Sequence, residues 1–138
     1  MKVVLDTNVI VSALIARGTP YYCLLALKHK IFALIYSKEI IDELSEVLER
    51  KFRWSEDEIN KTVSFIQQIG HQVETTGTLQ VIEADPDDNI IIETAMIGEA
   101  DLIVSGDRHL IKMGQYEGIE VVTPAEFLKR LFSILFST

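Results

Sequence analysis

The sequence has few basic residues, almost no cysteine and no long apolar run, and each shortage excludes something. Its 138 residues carry one cysteine, Cys23. That rules out an internal disulfide framework and suits a reducing cytoplasm. Flanked by Leu24, Leu25, Ala26 and Leu27, Cys23 reads as a small buried hydrophobe rather than a nucleophile. No stretch approaches the roughly 18 consecutive apolar residues of a membrane helix. The apolar segment Val9–Ala16 is broken at its start by Asp6 and Asn8, so a soluble, unprocessed, cytoplasmic protein is expected. Lys and Arg total 13 against 21 Asp and Glu, a net charge of −8. Broad, non-specific nucleic-acid binding needs a basic face and is disfavoured. An enzyme acting on nucleic acid through acid-bound metal ions is not. The nearest basic cluster, Arg50-Lys51-Phe52-Arg53-Trp54, reads as a helix end complementing its own dipole.

What is present is apolar and patterned. Hydrophobic residues make up 48% of the chain. No repeat, linker or low-complexity tract interrupts it, so residues 1–138 read as one domain with a packed core. Short apolar runs alternate with helix signals, the α/β pattern. Val3-Val4-Leu5 is a strand suited to burial on both faces of a parallel sheet. Helices are expected from Thr7 to about Arg17, closed by Gly18, and from Thr19-Pro20 to about Lys30. A strand follows over Ile31–Tyr36. Ser37 caps a helix over Lys38–Lys51, and Ser55 with Glu58 forms a capping box for another ending near Gly70. A weak strand at Gln72–Thr75 leads into a loop, Thr76–Ala84, with room for a further short strand. Asp85-Pro86 opens a helix to about Gly98, Asp101–Val104 is a strand, and Asp107 starts a short helix. Ile119–Val122 is the last strand, and Thr123-Pro124-Ala125-Glu126 begins the final helix. Right-handed crossovers make this a three-layer α/β/α sandwich with a central, mainly parallel sheet.

Ligands bind at the carboxyl edge of such sheets, so the acids arriving there decide the chemistry. Asp6 ends the first strand and Asp107 follows Leu102-Ile103-Val104, although a helix N-cap explains either equally well. Asp87 and Asp88 lie in the first turn opened by Pro86, where the helix dipole also favours acids. The helix they begin, with Ile90, Ile91, Ile92, Ala95 and Met96, has almost no polar face and is expected to pack deeply. Helix geometry alone does not separate Asp88 from Asp87. Glu43 lies beside Ile40 and Val47 at the margin of its helix's apolar stripe, while Glu39, Asp42, Glu46 and Glu49 turn toward water. Two unit charges about 4 Å apart repel by roughly 4 kcal/mol at an effective dielectric near 20. Several carboxylates in one cleft therefore protonate in part or recruit a cation. All-oxygen ligation selects Mg²⁺ or Mn²⁺. His29, His71 and His109 are too dispersed for a zinc site. A hard cation among carboxylates suits hydrolysis at phosphate.

These segments together resemble the PIN-domain family, in the branch of toxins of toxin–antitoxin pairs related to VapC-type ribonucleases. The resemblance rests on Asp6-Thr7-Asn8-Val9 with Ser12-Ala13-Leu14, on Glu43, on Asp85-Pro86-Asp87-Asp88-Asn89 followed by Ala95, and on Ser105-Gly106-Asp107 with Leu110. It implies that Asp6, Glu43, Asp88 and Asp107 are the catalytic, metal-binding acids, choosing Asp88 over Asp87, with Asn8 and Ser105 as polar helpers. The activity implied is Mg²⁺- or Mn²⁺-dependent cleavage of RNA by an activated water. Arg17, Arg108 and Lys112 are the candidate RNA contacts. A non-catalytic PIN-like binding module is the alternative. An aspartyl phosphatase or phosphotransferase fits less well, because such an enzyme wants a second Asp where this chain has Asn8. In the final helix most of Phe127, Leu128, Leu131, Phe132, Leu135 and Phe136 are expected in the core, with any excess available to a homodimer or an antitoxin.

Overall fold

The structure, a computed structural model, describes residues 1–16, 18–81 and 86–136. Its centre is β1 (Lys2–Leu5). Successive side chains of a strand point to opposite faces, and Val3, Val4 and Leu5 are all buried. Both faces of the sheet are therefore covered there, as a three-layer sandwich requires. β1 pairs in parallel with β2 (Ala33–Ser37) on one side and β4 (Leu102–Val104) on the other. Beyond β2 lies β3 (His71–Val73), also parallel. Beyond β4 come β6 (Ile119–Val122), parallel, and β5 (Gln115–Tyr116), antiparallel, giving the order β3-β2-β1-β4-β6-β5.

The helices are α1 (Thr7–Ile15), α2 (Thr19–Lys28), α3 (Lys38–Phe52), α4 (Glu56–Ile69), α5 (Pro86–Ile97), α6 (Arg108–Met113) and α7 (Pro124–Phe136). The expected strands and helices occur within a few residues of their anticipated limits. Ser55 and Glu58 form the reciprocal capping box at the head of α4. Cys23 is fully buried, and burial pushes its thiol up to about 11. Arg50 and Lys51 close the last turn of α3, and Arg50 pairs with Glu46 at 3.5 Å. Among the described residues no single helix is long and apolar enough to cross a membrane.

Three expectations need correction. β5 carries no sequence signal: it is two residues long, turned back onto β6 through Glu117 and Gly118, both at positive φ as a tight two-residue hairpin turn requires. α7 is less buried than its composition suggests. Phe127 and Leu131 are core residues, but Phe132, Leu135 and Phe136 are exposed: Phe132 and Leu135 line an open apolar groove with Tyr22 and Leu25 of α2 instead of being covered. α5 does pack deeply, but Met96 is exposed, and Asn89, Glu93 and Thr94 are buried in its stead. Polar side chains are accepted there because each finds hydrogen-bond partners. Arg17 and Asp85 lie outside the described residues.

α5 is seated against β1, β2 and β4, and its C-terminal end touches β2 directly. A Cβ on Gly98 would stand 2.3 Å from Ile35 Cγ2. The chain thus leaves the carboxyl edge at the start of α5 and returns at its end to the opposite edge, where β4 begins.

Candidate active site

The strand order reverses at β1. From β1 the chain passes through α1 and α2 to β2 on one side, whereas β4 lies on the other side and leads away to β6. The connections leaving β1 and β4 therefore diverge at the carboxyl edge and open a crevice, the place where open α/β sheets bind ligands. Asp6 and Asp107 stand on its two banks.

Asp6 occupies the N-cap position of α1, but its side chain forms no capping hydrogen bond. Instead its Oδ2 accepts from the Ser105 hydroxyl at 2.7 Å, across the crevice from the far end of β4. Ser105, not a helix amide, is therefore its close hydrogen-bond partner, and the α1 amides of Asn8 and Thr7 act on the carboxylate more weakly. Ser105 is fully buried and also accepts from the Asp107 backbone N–H at 2.9 Å, so one hydroxyl ties the two banks together. Burial raises the Asp6 carboxyl above the ordinary aspartate value. The Ser105 bond and the Asn8 and Thr7 amides oppose the rise, and the negative charge of Asp107 adds to it.

Asp107 does cap. Its Oδ1 accepts from the N–H groups of His109 at 2.8 Å and Leu110 at 3.2 Å. Its Oδ2 makes no hydrogen bond among the described residues, so capping leaves one carboxylate oxygen for the crevice. Neither Asp6 nor Asp107 is ion-paired with a Lys or Arg among the described residues.

Glu43 is half-buried in α3, whereas Glu39, Asp42, Glu46 and Glu49 are exposed, as the helical spacing predicts. Its Oε2 accepts from the hydroxyl of Thr7, 3.2 Å away and fully buried, which links α3 to the residue after Asp6. Asp88 sits in the first turn of α5 and is 5% exposed, while Asp87 is exposed. Burial thus distinguishes two acids that spacing left equivalent. All four acids come from segments at the carboxyl edge. Among the described residues, however, no group of three or more His, Cys, Asp or Glu side chains is arranged to hold a metal ion. Asp107 acts electrostatically on Asp6, and Glu43 is tied to the neighbouring Thr7, while Asp88 is buried in the first turn of α5. The donor set fits a hard divalent ion in chemistry, being all oxygen, partly buried and short of positive charge at its centre.

Asn8 is exposed in the first turn of α1, and it bears on Asp6 through its backbone amide. Arg108 and Lys112 are exposed on α6, directly beyond Asp107. Ser37, Thr94 and Glu93 contribute in ways the sequence did not suggest. Ser37 is at the N-cap of α3 but makes no capping bond; its Oγ accepts from Thr94 Oγ1 at 3.0 Å, joining β2 to α5. Glu93 binds the backbone of the preceding loop, accepting from Thr76, Gly77 and Leu79. Only the absence of a cation at i±4 from Glu93 hinted that this acid has other work than a surface pair.

A mainly parallel sandwich with paired carboxylates at its switch point defines a class of α/β proteins with an acidic crevice. The PIN domain family matches residues 2–109, from β1 through the start of α6, and the chain belongs to that family. No curated protein matches it. Among solved structures, VapBC2 from Rickettsia felis bound to a DNA fragment from their promoter is similar, with a TM-score of 0.60 at 16% identity, over 89% of this chain and 98% of that one. At that identity the likeness is one of fold. The family match ends before β5, β6 and α7.

Proposed function

We propose that this PIN domain is a metal-dependent endoribonuclease, the toxin of a toxin–antitoxin pair, working as one cytoplasmic domain over residues 1–138. The observation that carries the reading is Asp6: a buried carboxylate at the switch point whose close partner is Ser105, across the crevice, and which is repelled by Asp107. A buried acid so placed is costly unless something positive meets it, and Mg²⁺ or Mn²⁺ is the ion its oxygen neighbours suit. Asp6, Glu43, Asp88 and Asp107 are the proposed ligands and catalytic acids. A bound divalent ion supplies polarisation of a phosphoryl oxygen and an attacking water of lowered pKa. The chain's own part is orientation. Ser105 fixes the Asp6 carboxylate, the α6 cap fixes Asp107, and Thr7 fixes Glu43. Arg108 and Lys112 are the proposed contacts to RNA phosphates, with Arg17 as a third and Asn8 as a polar neighbour of the reacting group.

The partner reading draws on the similar fold of VapBC2, a complex bound to its promoter DNA. The exposed apolar residues Phe132, Leu135 and Phe136 of α7 offer surface for an antitoxin or for a second copy in a homodimer. One observation favours a second reading, a catalytically silent binding module: among the described residues no three potential ligands stand ready for a metal.

Labelled RNA incubated with Mg²⁺, with Mn²⁺ and with EDTA decides between them. The nuclease cuts internally with either ion and stops in EDTA, and Asp6→Asn lowers the rate by at least about 100-fold, as expected when a group acting directly at the reacting centre is removed. A binding module retains RNA without metal-dependent cutting. A phosphatase releases phosphate from a small ester and leaves RNA whole.

A further inference from the structure

Outside the acidic pair, the most unusual side chain is Glu93. It is 5% exposed, in the middle of α5, and has no ion-pair partner among the described residues. Its carboxylate instead gathers backbone N–H groups of the connection between β3 and α5. Thr76 N–H donates to Oε2, Gly77 N–H donates to Oε1 at 3.1 Å, and Leu79 N–H donates to Oε1 at 3.4 Å. Gly77 makes this convergence possible. It sits at φ 75, and nothing lies within 4 Å of where its Cβ would be. Glycine is therefore needed for the left-handed backbone, not for space. Neighbouring N–H groups in such a turn form a concave, anion-binding nest, and here the anion is the chain's own glutamate.

One turn earlier on the same face of α5, Asn89 Oδ1 accepts from the Val81 N–H at 2.7 Å. The connection is thus fastened twice, by side chains four residues apart, to the helix it is about to enter. Burial of Glu93 works against its charged form, but the amides of Thr76, Gly77 and Leu79 prevail and hold its carboxyl below the usual glutamate range. The acid remains an anion and the clasp stays closed at neutral pH.

We propose that Glu93 is a positioning residue for the crevice: by clasping residues 76–79 onto α5 it fixes the entry of that helix and so the placement of Asp88 in its first turn. This rests on the reading of Asp88 as a site acid. A clasp that only stabilised the fold would leave metal binding unchanged at equal stability, and that difference is measurable.

The test compares wild type, Glu93→Gln and Ile66→Val, a core variant chosen for a similar drop in Tm. Gln keeps the volume but loses the charge and turns an N–H₂ toward amides that need acceptors. For Glu93→Gln the expected results are faster amide hydrogen exchange at 76–79, Mn²⁺ affinity weaker by about 10-fold, the scale of support lost from behind a metal ligand, and a kcat that falls more than KM rises. Ile66→Val is expected to keep wild-type Mn²⁺ affinity. Gly77→Ala opens the same nest from outside α5 and serves if Glu93→Gln does not fold. Faster exchange with unchanged Mn²⁺ affinity overturns the proposal, as does an equal loss of affinity in Ile66→Val. A wild type that binds no Mn²⁺ overturns it too. A wild type that binds Mn²⁺ but leaves RNA intact overturns the ribonuclease reading alone, and the exchange and affinity results then judge Glu93 by themselves.

Discussion

Two buried carboxylates of opposite tendency frame the site, and they predict opposite pH responses. Asp6 is raised, first by burial and then by Asp107, so the folded chain holds this proton more tightly than the unfolded one. Its contribution to stability is present below the ordinary aspartate value, about pH 4, and is lost as pH rises through the raised value. Glu93 is lowered: burial opposes the charge, but the loop amides outweigh it. Its contribution is present above the ordinary glutamate value and is lost as pH falls through the lowered one. In EDTA, Tm followed against pH is therefore expected to be equal or higher in Asp6→Asn than in wild type at pH 7. Glu93→Gln is expected to destabilise most at neutral pH and to converge with wild type in acid. A clear loss of Tm in Asp6→Asn at pH 7 contradicts the charge argument. The positions of Asp6, Asp107 and Glu43 at the carboxyl edge were legible from sequence, because strand ends and helical spacing place them. The Ser105 bond to Asp6 was not, because it joins residues 99 apart in the chain and no local spacing registers it.

At the scale of elements, α5 matters most, because it carries Asp88 at one end and rests on β2 at the other. Its fit is tight where Gly98 meets Ile35. Gly98→Ala is expected to destabilise by about 1–3 kcal/mol in urea unfolding, the usual cost of overfilling a packed contact. An unchanged midpoint says that α5 can shift without loss, which weakens the case that its seat positions Asp88. The sequence announces α5 as apolar and buried. It does not announce that Asn89, Glu93 and Thr94 are buried with Ile91 and Ile92, because their partners are backbone groups of the preceding loop and the hydroxyl of Ser37, which periodicity does not register. β5 was missed for a related reason: two residues are too few to show alternation. α7 was misjudged because a hydrophobic helix face looks the same whether or not the chain provides something to cover it.

Across the whole molecule, topology converts separate sequence segments into one crevice. Strand β1 lies between β2 and β4, so the chain ends after β1 and β4 part at the edge where the heads of α3 and α5 also arrive. The layers and the shared carboxyl edge were readable from the alternation of apolar runs and helix signals; the strand order was not. Whether the four acids close around one ion depends on side-chain approach, which no spacing rule supplies. The most direct measurement is the anomalous difference map of a crystal soaked in Mn²⁺. The account predicts a peak at the carboxyl edge of β1, within ligand distance (about 2.0–2.6 Å) of Asp6 and Asp107 oxygens and with Glu43 and Asp88 turned toward it. A map without a peak there, or a peak that these acids do not surround, contradicts it.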